Sequence, residues 1–307
     1  MNEALASIPN SEHVYFFPIK EHKHLGLTVT PSLSFENHII EKEKKAKKNV
    51  GIIKYLNSFL PINSLIHMYI ALVRSHLDYC DLIYHIPPTA HLPPLGTTIH
   101  DHMERVEKIQ YQAALAVTGA WQGTSRVKIY EQLGWESLSD RRMSKRVLHL
   151  HKIIDGKTPE YLHDKLPPNR NVIINLPNVF KEIKYRTDRY RNSFFPNAVS
   201  QWNNLISDFK DFPSFLDLKK HLISLIRPER KDVFNVFRPS VLRYLFQLRV
   251  GLSRLRHHKK SHNFIDTPSD LCLCKTGIED THHYLLACPF YANHRDVSFL
   301  YCRKYNS

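Results

Sequence analysis

Three of the chain's five cysteines and two of its 20 histidines fall within seventeen residues near its end. The stretch runs Cys272-Leu273-Cys274, then Glu279-Asp280-Thr281-His282-His283-Tyr284-Leu285-Leu286-Ala287-Cys288, a C-x-C-x8-H-x4-C spacing. Three thiolates and one imidazole suit a tetrahedral structural zinc, so Cys272, Cys274, His283 and Cys288 are the candidate ligands. His283 and Cys288 are five residues apart, a little over one helical turn, so a short helix would put both on one side. In an extended strand Cys272 and Cys274 would point to the same face, although their single-residue spacing is tighter than usual. The competing reading makes the cysteines small buried hydrophobes beside a surface histidine pair. Cys80 and Cys302 are expected to be unpaired thiols.

Other reactive groups form no comparable pattern. Asp78-Tyr79-Cys80-Asp81 superficially suggests a metal-binding acidic box, but its aspartates are three apart at the end of an expected helix. Two-metal chemistry needs tighter placement, so they are expected to be solvated carboxylates. No G-x-S-x-G elbow is present for a serine nucleophile. His149-Leu150-His151 reads as part of a helix surface, and His257-His258 as exposed. Only nine glycines occur, and no glycine-rich loop cradles a nucleotide phosphate.

Charge points to the partner. With 43 Lys and Arg against 29 Asp and Glu, the formal net charge is +14, which favours polyanions. The cations gather in three places. Lys44, Lys45 and Lys48 lie in the first, Arg141, Arg142 and Arg146 (with Lys145) in the second, and Arg243, Arg249, Arg254, Arg256, Lys259 and Lys260 in the third. Each cluster is expected to be an exposed helix face that meets phosphates and releases counterions. Tyr284 and Phe290, flanking the metal ligands, could stack on unpaired bases. No apolar run is long enough to span a membrane, so no membrane partner is expected. The opening Met1-Asn2-Glu3-Ala4-Leu5-Ala6 lacks the signature of a secretory leader. Clustered thiols without such a leader suit a reducing interior, so an intracellular location, cytoplasmic or nuclear, is expected.

The elements that must position these groups are mostly helical. Residues 13–17 and 23–29 are rich in aromatic and β-branched types and predict a small β element. From Phe35 a helical pattern runs to Pro61. A second helix, capped at Asn63 or Ser64, shows an apolar face at Leu65, Met68, Tyr69, Leu72 and His76. Four prolines in 86–95 mark a loop. A third helix runs from an Asp101 cap to Gly119. A fourth starts at Ser137-x-x-Asp140, carries Met143, Val147, Leu150 and Ile154 on one stripe, and stops at Gly156. Residues 165–192 read as a long loop with weak strand character at 172–174. A further helix carries Phe215, Leu218, Leu222 and Leu225, and a last one opens at Arg238-Pro239 with Val241, Leu245, Leu248 and Leu252. The expected fold is therefore mainly α: a helical bundle with a small N-terminal β element and a C-terminal zinc-knuckle module. The expected divisions are 1–34, 35–120, 121–230 and 231–307.

The order of segments is familiar. His24-Leu25-Gly26-Leu27-Thr28-Val29 followed by Leu33-Ser34-Phe35-x-x-His38-Ile39 resembles the end of the reverse-transcriptase palm in LINE-type retrotransposons, which lack long terminal repeats. Gly51-x-x-Lys54 and Leu65-x-x-x-Tyr69-x-x-Leu72-Val73 are similar to the family's thumb, and Glu104-Arg105-Val106-x-x-Ile109-Gln110 to its post-thumb helix. Thr124-Ser125-Arg126 through Leu133-Gly134, Ser193-Phe194-Phe195-Pro196, Trp202-Asn203 and the closing cysteine-histidine pattern look like further landmarks. The resemblance covers about residues 13–290. It implies an origin as the C-terminal part of an RNA-directed DNA polymerase, with RNA or an RNA–DNA hybrid as partner. It also implies that catalysis needs an aspartate pair upstream of His24. No aspartate precedes His24 and no endonuclease segment is present, so no catalytic magnesium site is expected in this chain and it is not expected to be an enzyme on its own. The alternative expectation is a protein-interaction scaffold, or a subunit that needs a separate catalytic palm.

Overall fold

The structure, a computed structural model, describes residues 20–33, 35–85, 98–169, 179–206, 209, 213–226, 244, 246–248, 250 and 253–292. The expected strand at 13–17, the proline-rich loop at 86–95, the weak strand at 172–174, the start of the last helix, Arg243, Arg249 and Cys302 lie outside these residues. The described chain is mostly helical, with one small sheet near its N-terminus.

That sheet is a hairpin of β1 (His22–His24) and β2 (Leu27–Val29), antiparallel, with His24 opposite Leu27. Leu25 and Gly26 form the two-residue loop, both at positive φ (46° and 80°), the backbone twist that a tight hairpin needs. Residues 23–29, expected as one β run, thus fold back on themselves.

Helix α1 (Glu36–Leu56) buries Ile39, Glu43, Ala46, Val50 and Ile53 along one face and turns its lysines outward. After Pro61 come α2 (Ile62–Met68), a π-helical segment (Tyr69–Arg74) and α3 (Ser75–Asp78), joined without a break because Tyr69 and Ser75 keep helical dihedrals. Leu65, Tyr69, Val73 and Leu77 are buried while Leu72 is exposed, which corrects the expected stripe through Leu72 and His76. An α-helix rotates a four-residue repeat steadily off its face. The wider π turn reverses that drift and keeps every fourth side chain inward. Asp81–Tyr84 form the short α4. Helix α5 (Thr98–Thr118) starts three residues before the expected Asp101 cap and packs Ile109, Ala113 and Val117 into the same core.

Helix α6 (Arg126–Leu133) was not anticipated as a helix. It stops at Gly134 (φ 63°), after which Trp135 stacks on Tyr69 with ring centroids 4.0 Å apart. Helix α7 (Leu138–Ile154) is capped as expected: the Ser137 hydroxyl accepts from the Asp140 amide at 3.1 Å. The Glu107 carboxylate takes the Leu138 amide at 2.9 Å and the Tyr130 hydroxyl at 2.8 Å, tying α5, α6 and α7 together.

A second core forms where the C-terminal half of α7 meets α10 (Phe194–Ile206) and α11 (Phe215–Ile226). Trp202 is fully buried there among Val147, Leu150, Val199, Leu218 and Leu222. Its neighbour Asn203 satisfies the backbone of Phe180, accepting from its amide (3.0 Å) and donating to its carbonyl (2.8 Å). That pairing gives the Trp202-Asn203 dipeptide a packing role. The linking chain adds α8 (Glu160–His163) and α9 (Asp188–Arg191). Toward the C-terminus Phe246 and Val250 rejoin the first core, and α12 (Arg256–Ser261) follows.

The first core draws Leu27, residues of α1 through α5, Ile129 to Leu138, and Phe246 with Val250. The expected divisions at 34/35 and 120/121 therefore cut through a single core.

Candidate metal centre and the basic clusters

The metal-site residues are gathered by two local devices. In the first, the Cys272 amide donates to the Gly277 carbonyl (2.9 Å) and the Lys275 amide to the Cys272 carbonyl (2.9 Å), while Lys275 takes a φ of 63°. Leu271 and Ile278 pair as an isolated antiparallel bridge. The cysteines thus sit on a tight turn rather than an extended strand, which is how a single-residue spacing delivers both sulfurs to one place. A side chain at Gly277 would press on the His283 ring, its Cβ lying 3.4 Å from Nδ1.

The second device is a π-helical turn, His283–Ala287, entered through Asp280, whose carboxylate accepts from the His283 amide at 2.7 Å. In an α-helix, five residues overshoot one turn by about 140° and would separate the two ligands. The π turn closes instead with the Cys288 amide on the His283 carbonyl at 2.7 Å, bringing both ligands to one side.

The resulting cluster holds four ligand atoms within 4.8 Å of one another. Cys272 Sγ lies 3.5 Å from Cys288 Sγ, and Cys274 Sγ lies 3.1 Å from His283 Nε2. A tetrahedral ion with ordinary zinc bond lengths holds its ligand atoms about 3.5–3.8 Å apart, so the cluster has the size for one. Cys272 and Cys288 are buried, while Cys274 and His283 reach the surface. Burial pushes the Cys272 thiol up to about 11. Hydrogen bonds from the Thr276 hydroxyl and amide, with help from His283, draw Cys274 down to about 6. A cation entering here displaces protons and offsets the cost of buried thiolates. These four residues could hold a metal ion, as the spacing predicted.

The second basic cluster does not face solvent. Arg141, Arg142 and Arg146 are only 5%, 2% and 1% exposed, which removes them from any phosphate-facing surface. Arg141 donates to Glu136 at 2.8 Å and lies 3.6 Å from Asp78. Arg142 donates to the Leu77 carbonyl (2.7 Å) and His85 Nδ1 (3.0 Å), and lies 3.8 Å from Asp81. Arg146 donates to Asn197 at 2.6 Å and to the His85 carbonyl. Lys145 bridges Asp78 (3.2 Å) and Asp81 (3.0 Å). The expectation of solvated carboxylates fails for the same reason: Asp81 is 3% exposed, and the two aspartates neutralise the α7 cations. The local sequence carries no decisive signal of this, because Asp78 and Asp81 lie more than sixty residues from Lys145 and Arg142.

Lys44, Lys45 and Lys48 are exposed on α1, with Lys45 paired to Glu41 at 2.7 Å. Near the metal centre Arg254 is exposed. Arg256 lies 3.6 Å from Glu279, Lys259 2.9 Å from Asp266, and Lys260 bonds the Pro268 carbonyl. His257 is exposed but His258 is buried, 6.2 Å from the Trp121 ring, so the pair does not share one environment. His151 is also buried rather than on a surface, its Nε2 donating to the Pro213 carbonyl at 2.9 Å. Tyr284 is half-buried against Tyr291 (4.6 Å), whereas Phe290 is largely exposed. No helix among the described residues is long and apolar enough to cross a membrane. No protein-family model, curated protein or solved structure matches the chain.

Proposed function

We propose that this chain binds RNA or a primer-template through basic helices and a zinc-held C-terminal module, as a reverse-transcriptase-like segment without its own catalytic centre. The observation that carries the reading is the four-ligand cluster lying next to α12. The Arg256 guanidinium donates to the Leu271 carbonyl (3.4 Å) and the His257 amide to the Glu279 carbonyl (3.2 Å), so the metal turn and the basic helix are one unit. Zinc is the ion that best suits three thiolates and one imidazole. It would act structurally, holding Arg254, Lys260 and Lys275 on a fixed surface. Lys44, Lys45 and Lys48 supply a second cationic surface, and the sequence contains no adjacent aspartates for two-metal catalysis.

The test is a titration of the reduced, zinc-loaded chain with single-stranded RNA at rising salt, beside elemental analysis of the purified protein. Affinity should fall steeply with salt. Absent or salt-insensitive binding overturns the reading, and protein purified without stoichiometric metal overturns its structural half.

A second reading, a scaffold or a subunit that docks on another polypeptide, is favoured by one observation. Leu271, Leu273, Ile278, Leu285, Leu286 and Phe290, all on the metal module, are exposed. A tightly co-purifying polypeptide and no nucleic-acid affinity would favour it over the first.

A further inference from the structure

Helix α1 and the turn that follows it leave two aromatic rings in water. Tyr55 is 71% and Phe59 68% exposed, and their ring centroids lie 5.7 Å apart at a 48° tilt. The core-facing positions of α1 are already filled by Ala46, Val50 and Ile53. Folding therefore does not account for the aromatic pair.

The same exposed side of the helix carries Lys44 and Lys48, which with Tyr55 fall on one helical face, flanked by Lys47 and Lys54. No acidic residue occurs anywhere from Lys44 through Leu77. From Lys44 to Tyr55 the helix runs about 17 Å, enough to follow a few nucleotides of an extended strand. Cations alone would suit any polyanion. Cations leading into open ring faces suit one whose bases are free to stack, which a duplex does not offer along its sides.

We propose that Tyr55 and Phe59 form a stacking platform for unpaired bases of a single-stranded nucleic acid, with Lys44 and Lys48 meeting the phosphates of the same strand. The inference rests on the RNA-binding reading and adds to it the residues and the kind of strand they take.

The experiment uses the full, zinc-loaded chain and three probes of equal length: an oligouridylate, the same backbone without bases, and an RNA duplex. The oligouridylate should bind at least about tenfold more tightly than the abasic strand. Tyr55→Ala, Tyr55→Leu and Phe59→Ala should each lower its affinity by about tenfold toward the abasic level, with an unchanged salt slope, while Tyr55→Phe retains it. Lys44→Gln and Lys48→Gln should weaken both single strands and reduce the salt slope. Equal binding of oligouridylate and abasic strand, a preference for duplex, or unchanged affinity in Tyr55→Ala overturns the platform while leaving RNA binding in place. Salt-sensitive binding to none of the probes sinks the RNA-binding reading and the platform with it. Both rings are exposed, so circular dichroism should show every variant folded.

Discussion

The α7 arginines show how far the role of a charge depends on what lies across from it. Arg141 faces Glu136, Asp78 and Gln110 inside the fold, so removing it takes the buried cation from beside Glu136 and leaves Asp78 to Lys145 and Arg74. Arg141→Leu should cost about 3–5 kcal/mol, read as a lower urea midpoint. Lys48→Gln, on an exposed face, should stay within about 0.5 kcal/mol of the parent and change RNA affinity instead. The same network sets a pH dependence. Burial, then the charges of Arg142 and Arg146, hold His85 well below its ordinary value of 6.5. Below that value the unfolded chain takes up a proton that the folded chain refuses. Stability should therefore be full above about pH 6.5 and decline as pH falls toward the folded value. His38 and His258 are shifted the same way, each chiefly by burial. For Asp78 and Glu136 burial pushes upward, but Arg141 and its neighbours outweigh it and both carboxyls sit below their ordinary values. Their contribution is present above about pH 4 and disappears as pH falls through the folded values. Urea midpoints from pH 8 to 5 should fall, and His85→Asn should flatten that fall between pH 7 and 5.

Among the described residues two helical elements take the wider π geometry, each where a four- or five-residue spacing must be kept on one side. In the segment Tyr69–Arg74 the π turn keeps Leu65, Tyr69, Val73 and Leu77 in the core. In His283–Ala287 it brings His283 and Cys288 together. Little apolar burial holds the metal module: Leu271, Leu273, Ile278 and Phe290 are exposed. Chelation, or Cys288→Ser, should therefore abolish amide-exchange protection at the Cys272 and Cys288 amides while leaving that of α5 in the first core unchanged. Protection that persists in chelator would show a turn held without metal. Helix α1 offers a test of opposite sign. Gly51 lies in its interior with nothing within 4 Å of the Cβ it lacks, so Gly51→Ala should stabilise the chain by about 0.5–1 kcal/mol in thermal or urea unfolding.

At the scale of the molecule, the first core is assembled from the hairpin, the α1–α5 helices, α6 with Trp135, and the returning residues Phe246 and Val250. Gln247 donates to the Gly119 carbonyl at 3.3 Å and Thr281 to the Leu248 carbonyl at 3.3 Å, so the metal module is anchored to that core through the 246–250 segment. The α7 arginines are matched by Asp78, Asp81 and Glu136, so their burial leaves the surplus of +14 to the rest of the chain. The surplus is carried by the remaining cations, including those of α1 and the C-terminal module. RNA affinity should accordingly show a salt slope that shrinks when Lys44 and Lys48 are neutralised and does not change in folded Arg146→Met protein.

Much of this was fixed by composition and spacing. Local rules act over a few residues, so the helical character, the Ser137 cap, the stops at Gly119 and Gly156, and the metal cluster from Cys272 to Cys288 could be read before any coordinates. What could not be read depended on pairs far apart in the chain. Asp78 and Asp81 meet Lys145 and Arg142 across more than sixty residues, and only that meeting turns an apparently solvated basic face into a buried lattice of charge. A run of cations looks the same in sequence whether water or carboxylates lie opposite. The desolvation that decides between them exists only once helices have packed.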